Sequence, residues 1–360
     1  MKKYPLFLLC FLAAIFSSIR CKGHKDFDIL IINGTIVDGS GKPGYRGDIG
    51  IHGDVISEIG NLPRRSAEKI IDAEGLIVSP GFIDVHTHCD GGLGESESRA
   101  NLNYLIQGTT IVVTGNCGGG TFKVAETKEK WDKEGIGTNA VHLVGFGEVR
   151  HAVLEDEPRA PTPEELEEMK IILRKAMSEG AWGMSTGLEY IPDMYSSTEE
   201  IIALTKVIAE FGGVYASHQR NEVSRVPEAT RETIRIADET GVPVDISHLK
   251  ICGKRNWGMM REVIDTVNEA RARGISITAD MYPYDRAATG PLISIASNSG
   301  WSCFRLPDGM EPFASLRKKM RATGNKSKNL FLSARLTTRV LWPYPAGTAM
   351  QWCRPKKTHG

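Results

Sequence analysis

Two rhythms of apolar and polar residues divide the chain near residue 79. Before it, residues 26–78 carry short alternating segments, FDILIINGTIVDG, GDIGIHGDVISEIG and EKIIDAEGLIV, broken by glycine turns. That period-two pattern predicts a small β-structure with hairpins. After it, short apolar runs alternate with longer amphipathic stretches. The runs are GLIVSPGFIDV, TTIVVTGNCG, NAVHLVGFGEVR, GAWGMSTGLEY, GGVYASHQRNE, VPVDISHLK and SITADMYPYD. The first is β-branched and bounded by glycines, which predicts one continuous buried strand. Between the runs, TPEELEEMKIILRKAMSEG predicts a helix with Thr162 as N-cap, Pro163 in its first position and acids in its first turn. STEEIIALTKVIAEFGG repeats that plan and ends on Gly212.

Seven strand candidates separated by helices argue for a parallel sheet and for an α/β TIM barrel that lacks its last unit. A doubly wound open sheet is the rival, and the missing Gly-rich phosphate fingerprint after the first strand counts against it. The expected organisation is a leader over 1–22, a small β-part over 26–78, the barrel over 79–310 and an atypical tail over 311–360.

Charge sharpens that division. The whole chain has 44 basic and 44 acidic residues, but residues 312–360 hold eleven Lys or Arg and no Asp or Glu. Residues 1–311 therefore carry a net charge of −11, with no basic stripe of the kind nucleic acid requires. The tail's lack of acids suggests a shifted reading frame beginning between about 311 and 330. At the other end, MKKYPLFLLCFLAAIFSSIRCKG has a Lys-Lys start and an apolar stretch from Pro5 to Ser18. That stretch falls short of the roughly 20 apolar residues a membrane span needs and reads as an export signal. Cys21 is the candidate lipidated residue, although Arg20 fits that pattern poorly; the expected location is the periplasm or a membrane-anchored lipoprotein. Of the seven cysteines, Cys89, Cys117 and Cys252 lie in the body, an odd and scattered trio that makes no disulfide framework.

Candidate chemistry gathers where the predicted strands end, the active face of a TIM barrel. His86 and His88 follow the first run, two apart and so on one face of a strand. Cys117 follows the second, His218 the fifth and His248 the sixth; Asp280 and Tyr282 follow the seventh. Imidazole and thiolate are zinc ligands. Each alone has an ordinary structural reading; their joint placement on four strands points to a metal.

Taken together, SPGFIDVHTHCD, GNCG, GAWGMSTGLEYIPDMYSS, ASHQRNE, SHLK and ADMYPYDRAATGPL resemble the D-aminoacylase (N-acyl-D-amino-acid deacylase) family of the amidohydrolase superfamily, over about residues 27–295. The resemblance implies a zinc-dependent barrel with a small β-sandwich formed by 26–78 and C-terminal strands. It implies that Cys117, His218 and His248 hold a tight Zn2+, with His86 and His88 forming a second, weaker position. The strand MSTGLEY has no lysine to carry the bridging carbamate of hydantoinases and dihydroorotases, which favours the cysteine branch. The implied reaction is hydrolysis of small-molecule N-acyl-D-amino acids to a carboxylate and a free D-amino acid. By geometry and resemblance, Lys250, Arg220 and Tyr282 are candidates to grip the substrate carboxylate. A salt bridge to a neighbouring helix is the competing use of Arg220 and Lys250.

One part is missing. A carboxylate must move the proton to the leaving amine, and in the family it is an aspartate ending the eighth strand. No such strand is recognisable: Asp308 in RLPDGM is the last aspartate, and nothing before it reads as a strand. The catalytic carboxylate is therefore unassigned, and this copy is expected to be truncated and inactive if the tail is out of frame. The alternatives are another cyclic-amide or dipeptide amidohydrolase, or a non-catalytic zinc-binding pseudoenzyme.

Overall fold

The computed structural model describes residues 25–62 and 65–283. The leader over 1–22 with Cys21, the region of Asp308 and the tail over 311–360 lie outside the described residues. The chain divides into two compact units between Pro80 and Gly81.

The described residues of the first unit form one five-stranded sheet. Strands β1 (Phe27–Ile36), β2 (Tyr45–His52) and β3 (Val55–Gly60) form an antiparallel meander, as the alternation predicts. β4 (Ala67–Asp72) and β5 (Ile77–Val78) then add to β1 in parallel. The Phe27 ring lies over Gly50, where any Cβ would come within 2.3 Å of it. Phe27, Leu30 and Leu62 form its small core. Ile56, Ile59, Ile70 and Ile77 stand exposed. The described residues supply a single layer here, not the two facing layers of the expected sandwich.

Among the described residues the second unit holds seven strands, β6 (Phe82–Asp84), β7 (Thr109–Thr114), β8 (Asn139–Gly145), β9 (Gly183–Gly187), β10 (Val214–His218), β11 (Val244–Ile246) and β12 (Ile277–Ala279). All are parallel, and their order in the sheet is their order in the sequence. A doubly wound sheet reverses direction partway; this one does not. It also curls, because a hydrogen bond joins His86, beyond the first strand, to Asp280, beyond the seventh. The architecture is a partial (β/α) barrel.

Among the described residues six α-helices of two turns or more accompany the strands: α1 (Val124–Glu134), α2 (Phe146–Leu154), α3 (Pro163–Ser178), α4 (Thr198–Ala209), α5 (Val226–Thr240) and α6 (Met260–Ala272). α3 begins as predicted: the Thr162 hydroxyl accepts from the Glu165 N–H, and the Glu165 carboxylate accepts from the Thr162 N–H. α4 stops at Ala209, with Gly212 at φ 65° turning the chain back toward β10. Val144, Met184, Tyr215 and Ile246 from the strands pack against Leu173, Leu204, Ile208 and Ile236 from the helices, all buried. Each such side chain contributes roughly 1.5–3 kcal/mol by leaving water.

One expectation needs correction. The run GLIVSPGFIDV is not one buried strand: Ile77–Val78 joins the first unit and Phe82–Asp84 the second. Pro80 between them lacks the N–H a continuous ladder would need. The run is also exposed, Ile77 at 71% and Phe82 at 64%.

Candidate metal centre

Every predicted metal-binding side chain lies at or just beyond a strand's C-terminal end. His218 is the last residue of β10 and is buried. Cys117 sits three residues past β7, in a turn where Gly115, Cys117 and Gly118 all have positive φ (77°, 54° and 78°). His248 follows β11 with φ 39°, and His86 and His88 follow β6. The rings form a chain of contacts, with centroids 5.3 Å apart for His88 and His86, 4.8 Å for His86 and His248, and 4.7 Å for His248 and His218.

Two imidazoles share one construction. His86 Nδ1 meets the Asp280 carboxylate at 3.1 Å, and its Nε2 lies 3.4 Å from Cys117 Sγ. His248 Nδ1 meets the Glu222 carboxylate at 2.9 Å, and its Nε2 also lies 3.4 Å from Cys117 Sγ. A carboxylate on one ring nitrogen fixes the tautomer and aims the other, the usual support of a metal-bound histidine. An ion about 2.3 Å from sulfur and 2.0 Å from nitrogen, in tetrahedral geometry, separates those atoms by roughly 3.5 Å. The observed spacing fits.

Two compact groups of donor atoms result among the described residues, each within 4.8 Å: His86, Cys117 and His248; and His218, Glu222 and His248. This differs from the expected division into Cys117, His218, His248 and a separate His86, His88 pair. His248 belongs to both groups. His88 belongs to neither, though its ring stands edge-on to His86. His218 Nε2 lies 3.5 Å from Glu189, while its buried Nδ1 has no hydrogen-bond partner among the described residues. A buried nitrogen without a partner is costly in a native protein and suits a ligand.

Electrostatics agree with a cation here. Burial, then the Glu222 charge, push the Cys117 thiol up, so it keeps its proton unless a cation displaces it. Burial lowers His248 to about 4 despite its Glu222 partner, leaving the neutral imidazole that binds metals. Burial would raise Glu222, but the His248 hydrogen bond and nearby positive charge, that of Lys250 included, outweigh it and hold it down, at about 2.

The candidate substrate residues fare unequally. Lys250 Nζ sits 2.5 Å from Glu222 and 3.0 Å from His248 Nδ1, and 5.8 Å from the centre of the Tyr282 ring. Arg220 is turned to other work: its guanidinium holds Glu232 on α5 and the Met194 carbonyl. β10 ends at His218, so the two-residue face rule does not carry Arg220 to the metal side. The helix salt bridge is its observed use.

Three carboxylates of the site escaped the sequence reading as orienting groups. Asp280 holds His86 and also accepts the His248 N–H at 2.6 Å. Glu222 braces His248 and Lys250. Glu189 accepts the Glu222 N–H at 2.9 Å and faces His218. Glu189 and Glu222 lie in the quoted GLEY and SHQRNE segments, where their place after strand ends was the available signal.

Comparisons with known proteins point the same way. The model of the amidohydrolase family matches residues 69–290. The D-aminoacylase of Alcaligenes xylosoxydans xylosoxydans is 38% identical over 288 residues, covering 74% of this chain and 59% of that protein. A solved D-aminoacylase with a binuclear metal centre superposes with TM-score 0.68 at 36% identity, over 72% of this chain and 59% of its own. An N-acyl-D-glutamate deacylase from Bordetella bronchiseptica, solved with zinc and a phosphonate that mimics the tetrahedral intermediate, gives TM-score 0.68 at 34% identity, with the same coverage. The chain spans about three-fifths of the length of these relatives. A cysteine and paired histidines at the rim of a partial parallel barrel are thus accounted for: this chain belongs to the amidohydrolase family and is similar to its D-aminoacylases.

Proposed function

We propose that the chain carries the zinc site and substrate face of an enzyme that hydrolyses N-acyl-D-amino acids to a carboxylate and a free D-amino acid. The observation that carries this reading is the pair of imidazoles braced by Asp280 and Glu222 and aimed at Cys117. Cys117, His218 and His248 would hold the tighter zinc, with His86 and His88 beside it for a second. Bound zinc supplies Lewis-acid activation of water and of the amide carbonyl. Asp280 and Glu222 hold the imidazoles in one tautomer, and burial keeps His248 neutral. Lys250 and Tyr282 are the candidates to face the substrate carboxylate, with part of the Lys250 charge already spent on Glu222.

A second reading, a zinc-binding protein without turnover, is favoured by one observation. Among the described residues the carboxylates bonded to the cluster, Glu189, Glu222 and Asp280, are all engaged in orienting histidines or backbone. None of them stands ready as the proton carrier. Zinc content of the purified full chain, with parallel assays on N-acyl-D- and N-acyl-L-amino acids, separates the two. Stoichiometric zinc with D-selective release of amino acid supports the enzyme; zinc without release supports the second reading. For location, we propose export with Cys21 as the lipid-bearing residue, tested by incorporation of a labelled fatty acid into wild type and Cys21→Ser.

A further inference from the structure

The turn that presents Cys117 is built from residues that resist order. Gly115, Gly118, Gly119 and Gly120 surround the cysteine, and Cys117 itself adopts a left-handed conformation that L side chains disfavour. Something outside the turn must hold it. Ser185, in the middle of β9 and fully buried, is placed to do so. Its hydroxyl donates to the Gly115 carbonyl at 2.5 Å and accepts the Gly118 N–H at 3.0 Å. One oxygen therefore bridges the two ends of the four-residue turn that carries the thiol.

The same turn is pressed from a second side. Asp193, buried in the YIPDMYSS segment, accepts the Gly187 N–H at 2.7 Å. Its carboxylate lies so near Gly118 and Gly147 that a Cβ on either would approach it within 2.5 and 2.3 Å. A Cβ on Gly187 would reach the Cys117 carbonyl at 2.4 Å. The turn is thus wedged between the ends of β9 and β8, with glycine wherever a side chain would force it outward.

We infer that Ser185 is a positioning residue of the metal centre: its hydroxyl closes the Cys117 turn and so keeps Sγ against the His86 and His248 imidazoles before any metal arrives. The inference rests on the metal reading above. Among the described residues Ser185 bonds the backbone of the turn and no donor atom of the cluster, so it acts through that backbone.

The test uses Co2+ as a spectroscopic probe on the full-length chain. Wild type should show a thiolate-to-cobalt charge-transfer band. Folded Ser185→Ala should bind Co2+ about 10- to 100-fold more weakly, as loss of outer support does at other metal sites, with a diminished band. A merely structural serine would lower the melting temperature and leave the band intact. Full affinity and full band in folded Ser185→Ala overturn the clasp alone. Co2+ uptake by wild type without a thiolate band overturns the metal assignment of Cys117 as well. Should Ser185→Ala fail to fold, hydrogen exchange over residues 115–120 of metal-free wild type decides. Slow exchange supports the clasp; fast exchange that slows only when Co2+ is added shows that metal, not Ser185, orders the turn, and overturns it.

Discussion

Strand β9 and strand β6 belong to one sheet but live in different surroundings. All five residues of β9 are buried, between β8 and β10 and beneath α2 and α4. β6 is three residues long, with Phe82 64% and Ile83 51% exposed. At the far end, Met281 beyond β12 is 65% exposed. The donors divide along the same line. Cys117, His218 and His248 rise from the interior of the sheet, while His86 and His88 hang from its first edge. A ligand set drawn from packed strands is held by the core; one drawn from an edge depends on a few polar bonds. For His86 that bond is the one to Asp280.

The contrast can be broken most forcefully in the core. Leu204→Ala, on α4 with its side chain wholly buried, should destabilise the fold by about 2–5 kcal/mol, read from urea unfolding followed by circular dichroism. Phe82→Ala at the edge should change it by less than about 0.5 kcal/mol; equal losses would mean that the edge is packed after all. On the metal side, Cys117→Ala removes an interior donor. It should weaken zinc by at least about 100-fold, beyond the 10- to 100-fold typical of outer partners, in competition with a chromophoric chelator. Asp280→Ala frees both His86 and the His248 N–H and should cost about 10-fold, near the lower end of that range; a loss as large as that of Cys117→Ala would mean that Asp280 supports the tight site through His248 as well. The smallest effect expected is at Thr162, where Thr162→Ala removes the cap of α3 and should cost about 1 kcal/mol, with zinc affinity unchanged.

The strands were legible because each is a short apolar run closed by glycine or a polar residue, and that signature survives without tertiary information. Thr162 and Pro163 marked their helix for the same local reason. Local rules failed where the chain leaves a strand. The i, i+2 rule placed Arg220 and Lys250 beside their histidines, but β10 ends at His218 and β11 at Ile246. One of the two went to a helix and the other to Glu222. The orienting work of Glu189, Glu222 and Asp280 was hidden for a different reason. A carboxylate in a polar segment looks solvated until the fold buries it against an imidazole, and the partners lie between 26 and 194 residues apart.

The bond between His86 and Asp280 also orders events in time. Those residues are 194 positions apart, so at 5–20 residues per second a ribosome needs roughly 10 to 40 s to pass from one codon to the other. Throughout that interval the first histidine of the site exists without the carboxylate that sets its tautomer. Its final orientation can come only after β12 has been synthesised and docked. A nascent chain halted before Asp280 would carry Cys117, His218 and His248 but lack the carboxylate that holds His86 and the His248 N–H, so the state of the His86 imidazole records whether β12 has docked.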